Sequence, residues 1–109
     1  MPATTLSIPD LAGKAVLVTG ASTGIGAALA LAYAAQKCKV ALHYNSSRDA
    51  AEKLGLTIAD KGGEVFLVQG DFSVAADVER VVEDSAQYFG RLDGLVNNAG
   101  GMLGRIPYA

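Results

Sequence analysis

The segment Thr19–Gly26, with the sequence TGASTGIG, lies between two stretches of different character. Ala15–Val18 before it is a short apolar run typical of a buried strand, and the alanine-rich Ala27–Ala35 after it is typical of a helix. Glycines let the backbone turn sharply and approach a ligand closely, and the free N–H groups at a helix start attract phosphate. The segment therefore predicts a strand, a glycine turn and a helix that bind the pyrophosphate of a dinucleotide.

The rest of the chain repeats this alternation of strand and helix. The hydrophobic pattern predicts strands near residues 14–19, 39–44, 65–68 and 92–96, and helices near residues 24–36, 48–61 and 74–89. Asn45, Ser46 and Ser47 offer capping side chains before the second helix. Strands that alternate with helices indicate an α/β protein with a parallel sheet and right-handed crossovers.

Composition narrows the class of protein. Of the 109 residues, 50% are hydrophobic and 18% charged, which is typical of a folded domain. The net charge of −2 gives no electrostatic reason to bind nucleic acid, and a single cysteine, Cys38, excludes an internal disulfide. No stretch approaches the ~18 apolar residues of a membrane span. His43 is the only histidine and forms no credible metal set with Cys38. We expect a soluble cytoplasmic protein without a metal site.

Two segments carry a resemblance to a known family. The spacing Gly-x-x-x-Gly-x-Gly in Thr19–Gly26 differs from the general Gly-x-Gly-x-x-Gly fingerprint, and Asn97–Gly100 reads NNAG. Both segments, in this order, resemble the TGxxxGxG and NNAG segments of the short-chain dehydrogenase/reductases. The resemblance runs from about Lys14 to Gly100 and covers only the first half of a usual family member.

The resemblance implies a fold for this half. It implies a partial, Rossmann-type, doubly wound parallel sheet of four strands in the order 3-2-1-4, with three helices. Residues 1–13 would form an N-terminal arm, and residues 14–109 an incomplete dinucleotide-binding domain. In this order only the third helix covers one face of the sheet. We therefore expect much of that apolar face to be bare and the fourth strand to be an open edge.

The resemblance also implies cofactor contacts where strands end. In the glycine turn, Gly20, Gly24 and Gly26 would let the chain approach the pyrophosphate closely. The backbone groups of Ser22, Thr23 and Ile25 would bind it, and the hydroxyl of Ser22 or Thr23 would add hydrogen bonds. Asp71 would bind the adenine amino group and the backbone N–H of Phe72 a ring nitrogen, although an aspartate before a helix is also an ordinary turn residue. The adenosine-ribose side would be lined by Asn98, Ala99 and Gly100.

The end of the second strand bears on cofactor preference. NAD-binding sites usually carry an acidic residue about 20 residues past the glycines, to hold the ribose hydroxyls. Here the segment is Tyr44, Asn45, Ser46, Ser47 and Arg48, whose hydroxyl, amide and guanidinium groups suit a 2′-phosphate that a carboxylate would repel. We therefore favour NADP(H), with NAD(H) as the alternative. Against this, Thr23 stands where NADP-preferring relatives often carry a basic residue, and the alternative interpretation of Arg48 is a solvated charge in a first helical turn.

No catalytic residue is assigned. Tyr33 and Lys37 have the Tyr-x-x-x-Lys spacing of the family's catalytic pair, but that pair belongs after a fifth strand, whereas Tyr33 lies about 13 Å along the first helix from the turn. The resemblance implies the cofactor-binding half of an NADP(H)-dependent oxidoreductase that acts on a small carbonyl or alcohol substrate, homo-oligomeric when complete. The 109 residues alone would be inactive. The alternative is a non-catalytic dinucleotide-binding protein, or a subunit that needs a complete partner.

Overall fold

A computed structural model describes residues 11–22 and 24–97, which form alternating strands and helices. In chain order the elements are β1 (Ala15–Val18), α1 (Gly24–Ala35), β2 (Lys39–Tyr44), α2 (Arg48–Asp60), β3 (Val65–Gln69), α3 (Ala75–Phe89) and β4 (Gly94–Val96). The type and order of every element predicted from the sequence are confirmed. Within the described residues, no helix is long and apolar enough to cross a membrane.

The four strands form one parallel sheet in the order β3-β2-β1-β4. Val18 is paired with Leu42 of β2 and Val96 of β4, and Leu42 is paired in turn with Leu67 of β3. This is the predicted order 3-2-1-4. Because the strands are parallel, all four end at the same side of the sheet, which we call the carboxyl edge.

Helices α1 and α2 pack on one face of the sheet. The core on this face contains Val18, Val40 and Leu42 from the strands and Ile58 from α2. Two small residues of α1, Gly26 and Ala30, are buried, so the helix approaches the strands closely. Close packing of α1 fixes the position of the glycine turn from which this helix begins.

The expectation of a largely bare second face is wrong. Ala15, Leu17 and Ala41 are each 0% exposed, and they form a cluster with Val81 and Val82 of α3. Neighbouring strands lie about 4.8 Å apart, so three strands span roughly 10 Å, which is close to the diameter of one helix with its side chains. Helix α3 contacts β1, β2 and β3 and covers them together. Partial exposure is found on the edge strand β4, whose residues are half-buried.

The helix ends follow the sequence signals with one difference. Gly62 and Gly90 follow α2 and α3 in the left-handed conformation, with φ of 87° and 82°. Ser47 occupies the N-cap position of α2, but its side chain makes no capping hydrogen bond. The position of the cap is therefore as predicted, while the capping bond is absent and the Ser47 hydroxyl is not committed to the helix end.

Coverage of the sheet by α3 predicts the cost of shortening a side chain beneath it. Leu17→Ala should lower the free energy of unfolding by about 2–5 kcal/mol, because it opens a cavity in a fully buried cluster. Urea denaturation measures this loss. Leu56→Ala, the same substitution at an exposed position of α2, should cost less than about 0.5 kcal/mol. Equal losses for the two variants would contradict burial of β1 by α3.

Candidate functional site

The glycine turn presents an open surface at the start of α1. Gly20 and Gly24 have φ of 59° and 54°, a region that side-chain-bearing residues rarely adopt. A Cβ atom added at Gly24 would meet no heavy atom within 4 Å, so the space beside it is open. The neighbouring Ile25 is 71% exposed. The turn therefore has the backbone shape and the free space that close approach of a ligand requires. Thr23, a predicted site residue, lies outside the described residues.

Backbone hydrogen bonds extend across the carboxyl edge just past the strand ends. The N–H of Ala21 donates to the carbonyl oxygen of His43 at 2.9 Å, which joins the glycine turn to β2. The N–H of Gly70 donates to the carbonyl oxygen of Tyr44 at 3.1 Å, which joins β2 to the segment after β3. Three of the loops expected to contact a cofactor are thus held side by side.

His43 lies beneath these loops and was missed as a site residue by the sequence reasoning, which considered it only as a metal ligand. Its side chain is 2% exposed, and burial lowers the pKa of the imidazole below its usual value. Nδ1 accepts the N–H of Gly20 at 3.0 Å, and Nε2 donates to the carbonyl oxygen of Gly70 at 2.8 Å. The ring also stacks on Phe72, with centroids 3.9 Å apart. The sequence signal that could have indicated this role is a histidine within the apolar segment VALHY, where a buried polar side chain needs hydrogen-bond partners.

The loop after β2 contains exposed polar groups. Tyr44 itself is only 8% exposed, so its side chain belongs largely to the core, whereas Asn45, Ser46, Ser47 and Arg48 are exposed. The Nε atom of Arg48 lies 2.9 Å from Oε2 of Glu52, one turn further along α2. Four of the five residues predicted here are therefore accessible to a ligand.

The segment after β3 is organised by Asp71. Its Oδ1 accepts the N–H and the hydroxyl of Ser73 at 2.9 and 2.6 Å, and these bonds lower the pKa of the carboxyl. The N–H of Asp71 donates to Oδ2 of Asp77 at 2.8 Å. Asp71 therefore acts as a turn residue in this structure, which was one of its two interpretations. Phe72, also a predicted site residue, uses its side chain to pack on His43.

Hydrogen bonds from Thr19, at the start of the glycine turn, connect this turn to the end of β4. The N–H of Thr19 donates to the carbonyl oxygen of Val96 at 3.0 Å, and its hydroxyl lies 3.3 Å from Oδ1 of Asn97. The NNAG segment thus starts beside the glycine turn. The predicted site residues Asn98, Ala99 and Gly100 lie outside the described residues.

Tyr33 and Lys37 do not form part of this edge. Lys37 lies beyond the end of α1 with φ of 68°, and its carbonyl oxygen accepts the N–H of Gly13, which precedes β1, at 3.0 Å. Lys37 is therefore at the edge of the sheet opposite the glycine turn, and the interpretation that rejected this pair as catalytic agrees with its position.

Comparison with known proteins decides the family. Residues 14–107 match the model of the family described as short chain dehydrogenase. The chain belongs to the short chain dehydrogenase family. It is 47% identical over 90 residues to an uncharacterized oxidoreductase of Methylorubrum extorquens, which covers 83% of this chain. It is 39% identical over 110 residues to a short chain dehydrogenase of Emericella nidulans, which covers 97% of this chain.

The fold agrees with a solved structure of the same family. A short chain dehydrogenase from Burkholderia cenocepacia, crystallised in complex with NADP, is 42% identical, with a TM-score of 0.81 over 84% of this chain and 37% of its own. The chain spans 36% and 42% of the lengths of the two relatives from Methylorubrum extorquens and Emericella nidulans. It therefore corresponds to less than half of each of these two relatives.

Two glycines with positive φ, one in the glycine turn and one at the opposite edge of the sheet, allow a controlled test of the site. Gly24→Ala and Gly13→Ala should each lower the free energy of unfolding by about 1–2 kcal/mol, because both glycines have positive φ and open space around the added methyl group. Gly13 precedes β1 at the opposite edge, so it is a matched control. Thermal unfolding measures the strain, and calorimetric titration with NADP⁺ should show weaker binding for Gly24→Ala alone. Equal NADP⁺ affinities for the two variants would exclude the turn as a phosphate site.

Proposed function

We propose that this chain is the cofactor-binding part of an NADP(H)-dependent oxidoreductase that transfers a hydride to or from a carbonyl or alcohol carbon of a small molecule. The observation that carries the proposal is the exposed loop Asn45–Arg48, which follows the strand that is hydrogen-bonded to the glycine turn. When bound, the nicotinamide would supply or accept the hydride. The residues described here would bind and orient the cofactor.

The pyrophosphate would be held at the start of α1. This helix has 12 residues and no acidic side chain in its first turn, so its partial positive end is not offset by a nearby carboxylate of the same turn. Backbone N–H groups at Ser22 and Ile25, with Thr23 between them, would donate to phosphate oxygens. The open space at Gly24 is where a side chain would otherwise stand in the way.

The loop after β2 would hold a 2′-phosphate. Arg48 supplies a guanidinium, and the Ser47 hydroxyl is not used in capping α2. Arg48 is paired with Glu52, but an exposed ion pair contributes little and a phosphate carries about −2 charge, so the phosphate can compete for the guanidinium. The Burkholderia cenocepacia relative was crystallised in complex with NADP, which supports NADP(H) as a cofactor of this chain.

Binding and catalysis are separable in this proposal. Within the 109 residues the only Tyr-x-x-x-Lys spacing is Tyr33–Lys37, which lies away from the glycine turn. We therefore expect the 109-residue chain to bind a dinucleotide without catalysing hydride transfer. The alternative of a subunit that needs a complete partner relied on a bare face of the sheet, and α3 covers that face over β1 and β2.

Removal of the guanidinium tests the proposal. Arg48→Ala should raise the Kd for NADP⁺ about tenfold, because a charge-assisted hydrogen bond to the 2′-phosphate is lost. The Kd for NAD⁺, which lacks this phosphate, should stay the same. Both constants are measured by isothermal titration calorimetry on the 109-residue chain.

Lys53→Ala is the matched control for charge. Lys53 is another exposed cation on α2, so its removal changes the net charge equally and should leave both affinities unchanged. If the unmodified chain binds NAD⁺ as tightly as NADP⁺, the proposed preference is wrong. If it binds neither cofactor, the proposed function is wrong.

A further inference from the structure

His43 lies where three segments of the candidate site meet. Its Nδ1 atom is 3.0 Å from the N atom of Gly20, at the start of the glycine turn. Its Nε2 atom is 2.8 Å from the carbonyl oxygen of Gly70, immediately after β3. Its ring is stacked on Phe72 at an interplanar angle of 26°. No step of the proposed function uses this side chain, although it contacts both the pyrophosphate end and the adenine end of the site.

The two hydrogen bonds define the protonation state of the ring. An amide N–H can only donate, so Nδ1 faces Gly20 with its lone pair, and a carbonyl can only accept, so Nε2 carries the proton towards Gly70. The ring is therefore the neutral Nε2–H tautomer. An imidazolium has a hydrogen on both nitrogens, so protonation would place two donors opposite each other at Gly20.

We propose that His43 is a positioning residue of the dinucleotide site, whose neutral ring holds the glycine turn at a fixed distance from the Gly70–Phe72 segment and whose protonation releases the turn and weakens dinucleotide binding. The inference rests on the proposed function, since it assigns the turn and the Gly70–Phe72 segment to one cofactor. Because the ring touches both segments, a change in its hydrogen bonding changes their separation and not only the stability of the core.

The surroundings of the ring oppose its protonation. Burial is the main cause that lowers the pKa of His43, the bond to Gly70 raises it, and the positive charge of Arg80 on α3 lowers it further. The Nη2 atom of Arg80 donates to the carbonyl oxygen of Gln69 at 2.7 Å, which places this charge beside the end of β3. Asp71 accepts hydrogen bonds from Ser73, and Asp77 accepts the backbone N–H of Asp71. The guanidinium of Arg80 also lies 3.9 Å from Oδ1 of Asp77 and 3.6 Å from Oδ2 of Asp84, and these carboxylates offset part of its charge.

The sign of the pH effect follows from this lowered pKa. An unfolded histidine titrates near about pH 6.5, so the stability that neutral His43 contributes is fully present above that pH. It is lost as the pH falls from there through the lower pKa of the folded chain. Dinucleotide binding should weaken over the range below the folded-state pKa, where the ring of the folded chain takes up its proton.

The test compares NADP⁺ binding by the unmodified chain and by His43→Asn as the pH is lowered from about 8 through the folded-state pKa of His43, which the NMR signals of the ring locate. The asparagine carbonyl replaces Nδ1 as the acceptor for Gly20 but does not titrate. Dividing the two Kd values cancels the titration of the cofactor's own 2′-phosphate, whose pKa is about 6. The ratio of unmodified to variant Kd should rise, by up to about tenfold per pH unit below the folded-state pKa of His43. A ratio that does not change over the pH range in which the His43 ring titrates overturns the inference.

A second measurement does not depend on the cofactor. In NMR spectra of the cofactor-free chain, the amide signal of Gly20 should shift along the titration of the His43 ring, and it should not do so in His43→Asn. If NADP⁺ binds but neither the Gly20 signal nor the Kd ratio follows the ring, the inference is overturned and the proposed function stands. If the Gly20 signal follows the ring but no dinucleotide binds at any pH, the proposed function fails, and with it the binding role of His43.

Loss of stability is controlled by a substitution at the other edge. Ile58→Val removes a methyl group from a buried residue of α2 that lies beside Gly63, before β3, and so far from the glycine turn. This variant should be less stable than the unmodified chain yet show the same dependence of NADP⁺ binding on pH. The same pH profile in Ile58→Val as in the unmodified chain and a flat one in His43→Asn would assign the effect to the ring. A loss of binding that begins at higher pH in the less stable Ile58→Val would assign it to acid unfolding and overturn the inference.

Discussion

Hydrogen bonds across the carboxyl edge of the sheet decide where each loop of the candidate site begins. The pairing of β1 with β2 ends at Val18 and Leu42, and that of β2 with β3 ends at Tyr44 and Gln69. Past these ends the N–H of Ala21 donates to the carbonyl oxygen of His43, and the N–H of Gly70 donates to that of Tyr44. Thr19 makes the corresponding bond to Val96 on the other side. The glycine turn, the loop after β2 and the segment after β3 therefore start from fixed positions.

This edge depends on the core below it. A buried imidazole is costly unless both nitrogens are hydrogen-bonded, and His43 meets that condition through Gly20 and Gly70. Within the described part of the chain, no buried side-chain nitrogen or oxygen is without a hydrogen-bond partner. The small side chains of Ala15 and Ala41 allow α3 to pack against the face of β2 on which His43 lies. The packing of α3 therefore buries His43, and the hydrogen bonds of His43 in turn connect the core to the loops at the carboxyl edge.

Local signals in the sequence predicted much of the fold. The glycines of the turn, the apolar strands and the amphipathic pattern of α3 are properties of short segments, and each element lies close to its predicted bounds. The strand order came from the resemblance to short chain dehydrogenases and is confirmed. The role of His43 and the coverage of the sheet by α3 were not predicted, because they depend on distances between segments that are far apart in sequence. The missing capping bond of Ser47 is local, and it was not predicted because serine is a favoured N-cap residue. The contacts of Asp71 show its turn role, while its predicted role towards adenine stays a prediction.

The central claim is that a dinucleotide binds along the carboxyl edge, and the most direct measurement is an NMR titration of the isotopically labelled 109-residue chain with NADP⁺. The account predicts that the amide signals of Ser22, Ile25, Arg48 and Phe72 move together and saturate. Signals from the opposite edge, such as those of Lys37 and Gly62, should stay in place. Shifts concentrated at Lys37 and Gly62, or no saturable shift in the glycine turn, would contradict the claim.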